Sequence, residues 1–115
     1  MTVSFEEHVS YTDPTIKPIL RELRQRILAL GPDIRENVTK QQRVAYSVNR
    51  IFVEVKVQKK RVLVRFFGRG LPDPKNRVTN IPQTHGWTHN KEIAIANSDS
   101  LEYAMPFIKA SYHSS

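Results

Sequence analysis

Across residues 16–30 the apolar side chains Ile16, Ile19, Leu20, Leu23, Ile27 and Leu30 recur at steps of three and four, which gathers them on one face of a helix. Thr12, Asp13 and Pro14 mark its start, with Asp13 or Thr15 as the cap. Pro18 fits while it stays in the first turn, where backbone donors have no helical partner. Gly31 and Pro32 end the helix. Lys17, Arg21 and Arg24 fall on its polar side with Glu22, as a solvated face would.

The rhythm then becomes two. Val53, Val55 and Val57 alternate with Glu54, Lys56 and Gln58, and Val62, Val64 and Phe66 alternate with Leu63, Arg65 and Phe67, which predicts a β-hairpin. A two-residue turn at Lys59 and Lys60 sets Val57 against Val62, Val55 against Val64, and Glu54 against Arg65 as an ion pair on the other surface, where Phe52 faces Phe67. Lysines are poor residues for the positive-φ turns of short hairpins, so a longer loop including Gln58 and Arg61 stays open.

Weaker signals surround the hairpin. Arg43–Val48 offers a short strand through Val44 and Tyr46, Val78–Ile81 another that Pro82 ends, and Glu92–Ala96 a third through Ile93 and Ile95. Gly68, Gly70, Pro72, Asp73 and Pro74 make a basic, turn-rich loop, and Thr84–Asn90 a polar loop around Gly86 and Trp87. Ser98 opens a last helix with Leu101, Met105 and Ile108 on its apolar stripe and Asp99 at its N-terminus. Pro106 implies a kink, or a helix that starts later. The pattern predicts one α+β domain over residues 1–115, an antiparallel sheet of about four to five strands with an N-terminal amphipathic helix and a C-terminal helix packed on it.

Charge changes this picture because of where it lies. The chain carries a formal +7, yet residues 35–77 hold twelve Lys or Arg against three acids, leaving a nearly neutral frame around a strongly basic middle. Such asymmetry points to a polyanionic partner; the plainer reading is that these cations solubilise exposed strands and guard sheet edges. With no cysteine, disulfides, thiolate catalysis and cysteine-ligated metals are excluded. Neither a secretory signal nor an apolar run near the roughly 20 residues of a membrane span is present, so a cytoplasmic protein with no membrane partner is expected.

Phe5-Glu6-Glu7-His8, Gly31-Pro32-Asp33-Ile34, Phe52-Val53-Glu54-Val55-Lys56-Val57, His85-Gly86-Trp87 and Leu101-Glu102-Tyr103-Ala104-Met105-Pro106 follow one another along nearly the whole chain. In that order they resemble a small bacterial family labelled only as a domain of unknown function or as a "predicted transport protein". The resemblance implies an α+β domain with a central antiparallel sheet and flanking helices, and no established activity or catalytic residue. That family is distantly similar to YdhG-like and YjbR-like small domains, some with suggested DNA binding, and it occurs fused behind nuclease-like domains. Lys40–Ser47 departs from the pattern, which puts the first strand in doubt.

Chemistry-bearing constellations are sparse. His85 and His89 have metal-ligand spacing, but Gly86 between them and Pro82, Thr84 and Asn90 around them argue for a loop, and no third ligand follows. Gly68-Arg69-Gly70 is too short for a phosphate loop, although its amides and Arg69 suit a single anion contact. No nucleophile signature links any Ser, His and acid. Expected, then, is a non-enzymatic accessory domain without cofactor or metal, which binds nucleic acid through Lys56, Lys59, Lys60, Arg61, Arg65, Arg69, Lys75 and Arg77. Tyr46, Phe52, Phe66 and Phe67 are interleaved with these cations; Phe66 shares the Val62 and Val64 face of the core, which leaves Phe52 and Phe67 as the candidate rings for unpaired bases. The alternatives are a protein-interaction or structural module, whose basic face meets a nuclease-like or other acidic partner, and a small-ligand pocket at His85 and Trp87.

Overall fold

Period-two alternation resolves into six antiparallel strands in the computed structural model, which describes residues 4–39, 42–68, 71–81 and 91–114. They are β1 (Arg35–Thr39), β2 (Arg43–Ser47), β3 (Ile51–Val57), β4 (Val62–Phe66), β5 (Val78–Asn80) and β6 (Lys91–Ile95). Their order across the sheet is β1-β2-β3-β4-β6-β5, so β6 inserts between β4 and the edge strand β5. The strand the sequence pattern misses is β1. Its inward positions are Glu36 and Val38, and Glu36 holds its place by accepting bonds from Arg24 and from the Tyr46 hydroxyl instead of by being apolar.

The hairpin register is the one the alternation predicts: Val57 stands opposite Val62, Val55 opposite Val64 and Glu54 opposite Arg65. Gln58 N–H donates to Arg61 C=O at 3.0 Å, which makes Lys59 and Lys60 the two turn residues. At its other end β3 departs from plain alternation. Tyr46 faces Val53 and Ser47 faces Ile51, so Phe52 is an extra residue, a β-bulge that places two residues opposite one. Phe52 and Val53 are consequently both buried, while Ile51 is 40% exposed. The expected Phe52–Phe67 pair on the Glu54 surface gives way to an edge-on contact between Phe52 and Tyr112, with centroids 5.3 Å apart.

Helices α1 (Phe5–Tyr11), α2 (Lys17–Leu28) and α3 (Ser98–His113) supply the rest of the core. Leu20, Leu23 and Ile27 of α2 join Leu101, Ala104 and Ile108 of α3 over Val44, Tyr46, Val53, Val55, Val62, Val64, Ile93 and Ile95. Three local details differ from the sequence pattern. α2 has Ile16 as its N-cap with no side-chain cap; the Asp13 carbonyl, not its carboxylate, accepts from Ile16 and Lys17 N–H. α2 also stops at Leu28, so Leu30 is only partly buried. α3 begins at Ser98, where Asn97 and Ser100 cap each other reciprocally, and it runs through Pro106. Pro106 lies on the exposed side with Glu102, whose carbonyl its missing N–H leaves without the usual helical bond. Met105 of the predicted stripe is only partly buried; Phe107 takes its place in the core.

Candidate functional site

The β3–β4 turn is the most basic end of the sheet, and two other segments hold it in place. Arg61 Nε donates to Gln58 Oε1 at 2.8 Å across the turn, and the Lys59 carbonyl accepts from the Asp13 amide at 2.9 Å, which fastens the turn to the corner between α1 and α2. That corner is itself tied down: Lys17 Nζ donates to the carbonyls of Val9, Ser10 and Thr12, satisfying the C-terminal end of α1, and Thr12 Oγ1 donates to Val9 C=O. Beside the turn, Gln42, in the left-handed region at φ 54°, accepts from Val57 N–H at 2.7 Å.

Pairing decides which cations remain available. On the helical layer Arg21 meets Glu6 at 2.8 Å, Arg24 meets Glu36 at 2.8 Å, and Arg26 meets Glu22 and Glu102, so the α2 face is neutralised. The hydrogen bond from Arg26 holds the Glu102 carboxyl below its ordinary pKa. On the uncovered face of the sheet Arg65 meets Glu92 at 2.8 Å and Arg43 lies 3.8 Å from Glu54. Lys75 and Arg77 reach Asp99 of α3 at 3.8 and 3.1 Å, and both lie over the Tyr103 ring.

Of the residues the sequence nominates for nucleic acid, Arg65, Lys75 and Arg77 therefore face carboxylates. Lys56, Lys59, Lys60 and Arg61 face none among the described residues, and they share one end of one hairpin. Lys59, Lys60 and Arg61 are exposed and Lys56 is half-buried. Arg69 lies outside the described residues.

Among the interleaved aromatics Phe66 lies in the core, as its alternation with Val62 and Val64 predicts, whereas Phe52 does not reach the Glu54 surface. Tyr46, Phe52 and Phe66 are all fully buried, because the bulge turns Phe52 inward and the other two sit on the helix-facing side of their strands. Phe67 is half-buried beneath the Arg50 guanidinium, 4.6 Å from its ring centroid. The large aromatic side chain exposed at the hairpin end is instead Tyr11, which no strand pattern could flag because it ends a short helix.

A concavity of about 280 Å³ opens at the opposite end of β4, where Phe66, Phe67, Gly68, Val78 and Phe107 form walls beside Asn80 and Lys91. The ligand pocket expected at His85 and Trp87 lies outside the described residues, as do His89 and Gly70. Among the described residues no group of three His, Asp or Glu side chains is placed to hold a metal ion, and no helix is long and apolar enough to cross a membrane.

The chain belongs to the family described as a domain of unknown function (DUF5655), whose model matches residues 5–115. It is similar to an uncharacterized protein of Haemophilus influenzae, with 31% identity over 107 residues that cover 90% of this chain and 35% of that protein. The chain thus spans about a third of the length of that relative. No solved structure matches it.

Proposed function

For this member of the DUF5655 family we propose a non-enzymatic accessory role, docking onto nucleic acid through the hairpin end of the sheet. The observation that carries it is the distribution of ion pairs. Carboxylates neutralise the α2 face, the middle of the uncovered sheet face and the Lys75–Arg77 loop, whereas Lys56, Lys59, Lys60 and Arg61 gather around one turn without a carboxylate partner among the described residues. Closely spaced cations of this kind suit a phosphate backbone and carry no base readout of their own. Arg65, Lys75 and Arg77 instead face Glu92 and Asp99.

Fluorescence polarisation with labelled DNA and RNA oligonucleotides over a salt series tests the reading. Replacing Lys56, Lys59, Lys60 and Arg61 by Gln removes up to four phosphate contacts and flattens the log–log salt slope by about 3, because each contact contributes about 0.7 to 0.9. Unrelated sequences should weaken to the same extent. A parent protein that binds no nucleic acid at low salt overturns the reading, and the same cations would then meet an acidic protein surface, the reading that the burial of Tyr46, Phe52 and Phe66 favours.

A further inference from the structure

Stacking on an unpaired base needs an aromatic ring that is exposed, held still, and close enough to cations for the neighbouring phosphates to be bound as well. The buried hairpin rings fail the first condition. Tyr11 meets all three: it is 43% exposed, its ring centroid lies 5.7 Å from Lys59 Nζ, and it is the last residue of a helix whose end is fastened by Lys17, by Thr12 and by the Asp13–Lys59 backbone bond. We propose that Tyr11 is the stacking platform of a composite site, formed with Lys59, Lys60 and Arg61, whose partner is single-stranded nucleic acid. The inference rests on the nucleic-acid reading above and narrows it.

The chemistry separates this partner from its competitors. In a duplex the bases are stacked on one another and present only their edges in the grooves, so a lone surface tyrosine gains nothing from them. A single strand can lay one base on the ring while its phosphates meet the turn. In the free protein Lys59 occupies the ring's surroundings as a cation–π partner, so an incoming strand replaces that contact with a base on the ring and a phosphate on the ammonium.

Three probes decide it: a single-stranded oligonucleotide, the same backbone with abasic sites throughout, and a duplex of equal length, each titrated by fluorescence polarisation. Tyr11→Ala and Tyr11→Leu should both weaken the single strand about 5- to 150-fold, the range set by loss of one stacked base. Both should leave the abasic strand and the duplex within twofold of the parent. Tyr11→Phe, which keeps the ring, should bind like the parent, and Tyr11→Leu, which keeps the bulk, separates stacking from packing. Unchanged single-strand binding in Tyr11→Ala overturns the inference, as does equal weakening on all three probes. If the hairpin Gln variant still weakens every probe, the nucleic-acid reading outlives that failure; if the parent binds none of the three, both fall.

Discussion

The Tyr103 hydroxyl donates to the Asp73 carboxylate, and the same carboxylate accepts from the Arg77 amide at 3.1 Å and the Val78 amide at 2.9 Å. One side chain thereby fixes the path of the loop between β4 and β5 onto α3, with Lys75 N–H donating to the Tyr103 oxygen at 3.1 Å. Tyr103→Phe should remove this hydroxyl tie while the Asp99 ion pairs to α3 remain, and speed hydrogen exchange at Lys75 more than at Arg77 and Val78, whose carboxylate acceptor persists.

The same group sets an acid limit for the loop. The hydrogen bond from Tyr103, aided by the two backbone amides, holds the Asp73 carboxyl below the ordinary aspartate value. A lowered folded-state pKa contributes stability that is present above the unfolded value and lost as pH falls through the folded one. Amide shifts of Arg77 and Val78 should therefore stay constant down to about pH 4 and move only below it. Movement centred well above pH 4 would contradict this, and in Asp73→Asn the acid transition should be absent.

Alkaline behaviour follows from Tyr46. Burial, then the neighbouring Glu36 carboxylate, raise its phenol far above the ordinary tyrosine value, so the folded protein keeps it protonated. Stability from a raised pKa is complete below the unfolded value and declines as pH rises past it, here from about pH 10. Absorbance titration should show Tyr46 ionising only together with unfolding. Tyr46→Phe should remove that late component and cost about 1 to 3 kcal/mol through the lost bond to a charged acceptor.

Leu23 is fully buried on α2. Leu23→Ala should cost about 2 to 5 kcal/mol in denaturant unfolding, the range for a buried leucine truncation, and a loss below about 1 kcal/mol would mean that the helix does not pack as described.

Ser111 is a polar residue inside the core: its Oγ donates to Phe52 C=O and accepts from Phe67 N–H at 3.0 Å, bridging α3 to the bulged end of β3 and to the end of β4. Ser111→Ala is nearly isosteric yet removes a buried donor and acceptor together, so it should cost about 1 to 3 kcal/mol. Thermal denaturation of this variant beside an exposed Ser98→Ala control measures it.

What could be read in the sequence divides along the range of the interactions. The α2 face and the Val57–Val62 register depend on neighbours a few residues apart, and both come through. β1 does not, because its inward Glu36 is made acceptable by Arg24 and Tyr46 from two other elements. The bulge at Phe52 is equally silent, since an inserted residue looks like ordinary alternation until the partner strand is known. For the site, the cluster at Lys59, Lys60 and Arg61 was legible as charge, whereas the neutralisation of Arg65 by Glu92 and of Arg77 by Asp99 needed the fold to bring distant acids across. Tyr11 carried no signal because its value lies in the turn that Asp13 grips.

That grip also bears on how the chain assembles. The β3–β4 hairpin closes over a two-residue turn and so forms early at small entropic cost, but the bond from Asp13 to Lys59 closes a long loop that includes all of α2, β1 and β2. The turn's fastening to the corner between α1 and α2 is thus a long-range closure that needs both segments in place. Tyr11 and the cations of the turn therefore come to share one surface only in the completed fold.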